Sequence, residues 1–172
     1  FLTPDERTQP IIAELKEAKA PQAVFFVVPG QAGHDDGVDG ERHIAAYVAA
    51  GHVIANHSNS HKRLSTTDTA AYLADLDAAE AWLKDRPRYR PWFRFPFLDE
   101  GGKDKAKRDA LRHGLAARGL RNGYVTAESS DWHLENLTRE AVQAGKTIDR
   151  KALGNLYVGW HVEAADFADA MM

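Results

Sequence analysis

Residues 23–28 read Ala-Val-Phe-Phe-Val-Val, six apolar side chains in succession with Pro21 ahead of them and Pro29 behind. A strand wetted on one face alternates apolar and polar residues. An unbroken run of this length marks a strand covered on both faces, as strands of parallel sheets are. Working back from it, Thr8 can cap a helix with Pro10 in its first turn, followed by Ile11, Ile12, Leu15 and Ala18 at helical spacing. Pro21 ends that helix. Working forward, Pro29 to Gly40 is a loop holding four glycines, Glu41–Ala50 reads as a helix stopped by Gly51, and His52–Asn56 reads as the next strand.

The alternation continues. Thr66 or Thr67 opens a longer helix that ends before Pro87, with Tyr72, Leu73, Leu76, Ala79 and Leu83 as its apolar stripe. Asp75, Asp77 and Glu80 fall off the stripe, which places them in solvent. Pro91–Phe97 reads as a strand, Asp104–Arg118 as a helix closed by Gly119, and Asn122–Thr126 as a short strand. A helix covers His133–Ala144, with Gly145 just past its end. Leu153, Leu156, Tyr157, Trp160, Ala164, Phe167, Ala168 and Met171 recur mostly at steps of three and four, which predicts a last helix despite Gly154 and Gly159. Four strands alternating with helices predict a parallel α/β sheet or barrel, in one domain over residues 1–172. The pattern alone does not separate an open doubly wound sheet from a (β/α) barrel.

Composition narrows the chemistry. At 172 residues with 44% hydrophobic and 27% charged side chains, the chain has a globular composition and can bury a sizeable core. A formal net charge of −3 argues against nucleic acid as a dedicated partner. No apolar run is long enough to span a bilayer. With no cysteine, a transition metal would be held by His, Asp or Glu, and there are eight histidines. The chain starts at Phe1 without a signal-like segment, so its compartment is not legible.

In parallel α/β folds, sites are built where strands end. His52–Asn56 runs directly into His57-Ser58-Asn59-Ser60-His61, the third strand carries Arg94-Phe95-Pro96-Phe97, and the fourth leads to Glu128, Asp131 and Trp132. Two imidazoles four residues apart, His57 and His61, can reach one ion such as zinc, cobalt or nickel; equally, they can be a hydrogen-bonded surface pair. Arg94 can pair with a carboxylate or be solvated. Asp131 can orient a neighbouring group or cap the helix ahead of His133, and Trp132 can wall a sugar ring or fill a core.

At these residues the sequence resembles the polysaccharide deacetylases of carbohydrate esterase family 4. The family's His-Ser/Thr-x-x-His motif, after a strand reading Gly-His-x-x-x-Asn, is matched from Gly51 to His61. Its arginine motif resembles Arg94-Phe95-Pro96-Phe97 and its Asp-Trp motif resembles Asp131-Trp132, so the resemblance spans roughly Thr8 to Trp132. It implies a distorted (β/α) barrel, incomplete over this chain, in which an Asp and two His hold a divalent metal, zinc foremost. His57 and His61 inherit the metal-ligand roles, Arg94 would position a catalytic Asp, Asp131 joins the catalytic set, and Phe95, Phe97 and Trp132 would line the substrate groove. The implied reaction is removal of acetyl groups from an acetylated poly- or oligosaccharide, and the implied setting is exported or periplasmic.

Two departures qualify that expectation. The family's Asp-Asp pair ending the first strand should lie before Phe1; Asp35-Asp36-Gly37 has the letters but follows Ala23–Val28, which resembles the family's second strand, and is rejected. The last motif needs a His ending an apolar strand, whereas His161 sits in a helical pattern. As it stands the chain is therefore expected to be inactive or nearly so. Hydrolysis of a small non-peptide amide, and an inactive carbohydrate-binding relative, are the competing expectations.

Overall fold

A computed structural model describes residues 2–34 and 37–172. The first helix, α1 (Pro4–Glu17), starts a turn earlier than the sequence suggests, because Thr3 and Glu6 form a reciprocal capping box. Thr8 is consequently inside the helix and buried, its hydroxyl donating to the Pro4 carbonyl at 2.7 Å and lying 2.9 Å from His43 Nδ1. The apolar run becomes β1 (Val24–Val27), followed by α2 (Gly40–Ala49) and β2 (Val53–Asn56). Then come α3 (Thr69–Leu83), capped by the Asp68 carboxylate, β3 (Tyr89–Phe93), α4 (Lys105–Ala117), capped by Asp104, and β4 (Arg121–Asn122).

All strand pairings are parallel, and the order is β1-β2-β3-β4. This order resolves what periodicity left open. A doubly wound sheet reverses direction at a switch point; here every crossover steps the same way, as successive strands of a (β/α) barrel do. The fold is therefore a (β/α) barrel of which the chain supplies these four strands.

The third and fourth strands depart from expectation. β3 begins two residues earlier than Pro91 and stops at Phe93, because Pro96 opens a 3-10 turn, Pro96–Leu98. β4 stops at Asn122; the Gly123 amide still reaches the Phe93 carbonyl at 2.7 Å, but a side chain at 123 would strike the Phe26 ring. Where the sequence suggested one domain, the chain divides into two compact units, Phe1–Gly123 and Tyr124–Met172. The second unit contains α5 (Asp131–Gln143) and α6 (Arg150–Met171), the latter with no buried residue. No helix among the described residues is long and apolar enough to cross a membrane.

The core of the first unit is organised by β2, whose four residues are all buried. α3 lays Tyr72, Leu76, Ala79 and Leu83 against the sheet, where they join Phe93, Phe95, Leu111 and Leu115 on one side and Val27 and Ile54 on the other. Leu76 is fully buried. Truncating Leu76→Ala should cost about 2–5 kcal/mol, the usual range for opening a cavity of that size. Urea unfolding followed by circular dichroism is the measurement; a loss below about 1 kcal/mol would contradict this packing.

Candidate metal centre

β2 delivers its last residue into a tightly bonded loop. The His57 amide donates to the Val27 carbonyl and the Arg94 amide to the Asn56 carbonyl, both at 3.0 Å, so His57 stands at the carboxyl edge of three strands. Its Nδ1 lies 2.8 Å from the Arg94 carbonyl oxygen. A carbonyl can only accept, so Nδ1 carries the proton and Nε2 keeps a free lone pair. Burial, helped by the neighbouring His61 and Arg94 charges and opposed by that hydrogen bond, pushes the imidazole down to about 4. At neutral pH it is an uncharged, tautomer-fixed donor.

The turn that returns His61 toward it is held by polar side chains. The Asn56 side-chain oxygen accepts from the Ser58 amide at 2.7 Å, and the Ser58 hydroxyl accepts from the His61 amide at 2.9 Å. Ser58 and His61 have φ of 66° and 55°, left-handed values that non-glycine residues seldom adopt. The two imidazole rings meet edge-on with centroids 4.9 Å apart. His61 is likewise held below the usual histidine range, by burial first and by Arg63 second.

Asp75 of α3 underpins the loop. One carboxylate oxygen accepts from the Asn59 and Ser60 amides at 2.9 and 3.1 Å, and the other from the Ser60 hydroxyl at 2.6 Å. Glu80 of α3 accepts from the Asn56 side-chain Nδ2 at 2.7 Å and from the Tyr89 hydroxyl at 2.6 Å. On the opposite side the Gly30 amide donates to the Asn59 carbonyl at 3.0 Å, and a β-carbon at Gly30 would collide with that oxygen.

A neutral imidazole is the donor chemistry that zinc and similar ions take, and His57 has one ring nitrogen committed to a backbone acceptor as such ligands do. His57 and His61 fit two positions of such an ion. Among the described residues, no group of three His, Asp or Glu could complete a metal site. Asp35 and Asp36, the rejected pair, lie outside the described residues.

The arginine motif divides its labour. Arg94 Nε donates to the Gly123 carbonyl at 2.9 Å, and the guanidinium stacks 4.0 Å over the Phe26 ring. Among the described residues it forms no ion pair, so its ties are to backbone and ring. Phe95 is 2% exposed and packs edge-on against Phe93. A wall residue must reach solvent, so the expectation that Phe95 lines a groove is corrected: it is core beneath the site. Phe97 is 51% exposed, with its ring 4.7 Å from that of His61.

The remaining expected residues belong to the second unit. Asp131 opens α5 and accepts from the Trp132 amide at 2.8 Å. Trp132 is exposed in a cleft of that unit shared with Trp160 and Phe167. His161 is in mid-helix in α6, its Nδ1 bonded to the Tyr157 carbonyl at 2.8 Å.

Residues 3–117 match the model of the polysaccharide deacetylase family, which is two-thirds of the chain and includes the whole histidine loop. The chain belongs to that family. No curated protein sequence matches it. Among solved structures it is similar to a family 4 carbohydrate esterase from Streptomyces lividans, at 23% identity and TM-score 0.57, covering 73% of this chain and 59% of that one. It is also similar to a peptidoglycan deacetylase from Bacillus subtilis, at 22% identity and TM-score 0.51, covering 73% of this chain and 55% of that one. A family 4 pseudoenzyme from Bacillus anthracis is similar at 18% identity and TM-score 0.59, covering 83% of this chain and 47% of that one. The deacetylase-family chain thus spans between about half and three-fifths of the length of these structures. Asp131 and Trp132 fall outside the family match.

Asp75 and Glu80 are corrections to the sequence reading, which put them in solvent. Their positions carried the signal: Asp75 is three residues after buried Tyr72 and four before Ala79, and Glu80 is four after Leu76 and three before Leu83. Both lie on the packed face, where a carboxylate needs donors, and the loop supplies them.

In the deacetylase-family site, two outcomes follow. Imidazole nitrogen NMR of the metal-free protein should find His57 as the Nδ1–H tautomer, with its protonation midpoint near 4. Because the unfolded imidazole protonates near 6.5 and the folded one resists, this residue's contribution to stability should decline as pH falls from about 6.5 toward 4. Asp75→Asn should weaken zinc binding by about 10- to 100-fold, read by competition with a chromogenic chelator, although it removes no ligand; unchanged affinity would show the loop holds without that carboxylate.

Proposed function

We propose that this chain is a metal-dependent hydrolase that removes acetyl groups from an acetylated glycan, with His57 and His61 as ligands to a divalent ion, zinc foremost. The observation that carries the reading is the 2.8 Å bond from His57 Nδ1 to the Arg94 carbonyl, which leaves Nε2 as a lone-pair donor beside the ring of His61. A bound divalent ion would polarise the acetyl carbonyl and make a water more acidic. Asp75 keeps the turn in the shape that holds both rings together, and Glu80, through Asn56, ties that turn to α3. Phe97 offers an apolar face next to His61 on which a sugar ring can rest. Arg94 is proposed as a positioning residue, and Asp131 and Trp132 enter through their motif as an orienting carboxylate and a sugar-facing wall.

The test is acetate release from acetylated glycan oligomers by the chain extended through its native flanks, with zinc supplied, alongside the zinc content of the purified protein. Wild type should bind zinc and release acetate; His57→Ala should lose at least about 100-fold of both, as expected when a metal ligand is removed. Zinc bound without any acetate released would move the reading to an inactive carbohydrate-binding relative; the similar Bacillus anthracis protein is a pseudoenzyme of the same family. Zinc content indifferent to His57→Ala would refute the ligand assignment.

A further inference from the structure

Arg63 and Phe97 form a second element beside the histidine pair. The Arg63 guanidinium lies 4.0 Å above the Phe97 ring, and that ring is 4.7 Å from the His61 ring and tilted 58° to it, so guanidinium, phenyl and imidazole are successive neighbours. The backbone beneath is fixed from several sides. The Arg63 carbonyl accepts from the Thr67 hydroxyl at 2.7 Å, and Leu64 is fully buried. Lys107 Nζ reaches the carbonyls of Leu64, Ser65 and Thr67 at 3.3, 3.4 and 3.0 Å. Asp99 accepts from the Ser65 amide and hydroxyl at 2.9 and 2.6 Å.

The guanidinium at the end of this anchored segment is exposed, and it makes no hydrogen bond or ion pair to protein among the described residues. Its support is unusual as well. Phe97 and Leu98 adopt φ of 57° and 54°, two non-glycine residues in succession in the left-handed region, and both side chains are about half-exposed. Neither backbone preference nor burial favours that arrangement, and strain of this kind gathers at ligand sites. Among the described residues Asp99 partly offsets the charge, but its oxygens are taken by Ser65 and by the Gly101 amide at 3.0 Å. Lys62, also exposed, adds to the positive rim.

A planar guanidinium with free donors, held over an aromatic ring, is suited to a planar carboxylate presented edge-on. We propose that Arg63, shelved on Phe97 beside His61, recognises a carboxylate carried by the glycan, so that the substrate class is an acidic acetylated glycan. The inference rests on the deacetylase reading above and adds the class of sugar.

The experiment compares three acetylated oligosaccharides: a neutral chitin oligomer, one containing uronate units and one carrying lactyl ether carboxylates. Acetate release with zinc supplied gives kcat/KM, and calorimetric titration of the metal-free protein gives binding. At least one acidic oligomer should be favoured about tenfold, chiefly through KM, as one charge-assisted pair provides. The acidic-to-neutral ratio should fall toward one in Arg63→Gln, persist in Arg63→Lys and shrink with added salt. Which acidic oligomer responds separates a ring carboxylate from an ether-linked one. A binding preference lost in Arg63→Gln supports the subsite even where no acetate is released. Equal handling of neutral and acidic oligomers by wild type, or a ratio unchanged in Arg63→Gln, overturns the subsite and leaves the deacetylase reading standing. No acetate and no binding with any oligomer overturns both.

Discussion

The site hangs on a hydrogen bond between two strand ends, from His57 Nδ1 to the Arg94 carbonyl. It forms because β2 and β3 are parallel neighbours whose ladder runs on past Asn56 and Phe93. Parallel pairing puts both carboxyl ends at the same edge, and register brings carbonyl 94 beside ring 57. A change of register by one residue would turn the ring to the other face of the sheet. The tautomer of His57 is therefore a consequence of sheet register, and sheet register is in turn fixed by the buried face of β2 and the α3 side chains packed on it.

α3 carries two obligations at once. Tyr72, Leu76, Ala79 and Leu83 bury apolar surface against the sheet, while Asp75 and Glu80 reach from the same face to the turn that follows β2. Burying two carboxylates beside a core is costly unless their oxygens are occupied. Here they accept amide, hydroxyl and phenol protons, so the polar network and the apolar core share one helix without an orphaned charge.

The parallel architecture was legible because Ala23–Val28 is an unbroken apolar run and because glycines and prolines punctuate the helices where expected. The histidine turn was legible for a related reason: polar residues directly after a doubly covered strand must sit at a sheet edge. What escaped was tertiary. The packed arc of α3 is broader than the stripe of its apolar residues, so Asp75 and Glu80 were assigned to water. Phe95 was placed in the groove by the arginine motif of the family, yet the chain turns it into the cluster around Tyr72 and Phe93. Thr8 looked like a cap because the competing box at Thr3 and Glu6 needs two side chains read together. The fourth strand was overdrawn because the close approach of Phe26 to Gly123 has no local signature.

The acceptor that orients His57 belongs to the main chain at position 94, and every amino acid has that oxygen. Substitutions at 94 can alter or abolish the guanidinium without deleting the group that sets the imidazole's tautomer. The geometry proposed to hold a metal and the arginine's own task are thus separable by mutation, although one residue supplies both. A lineage that lost Arg94 could keep a well-formed histidine pair, free to drift toward other chemistry.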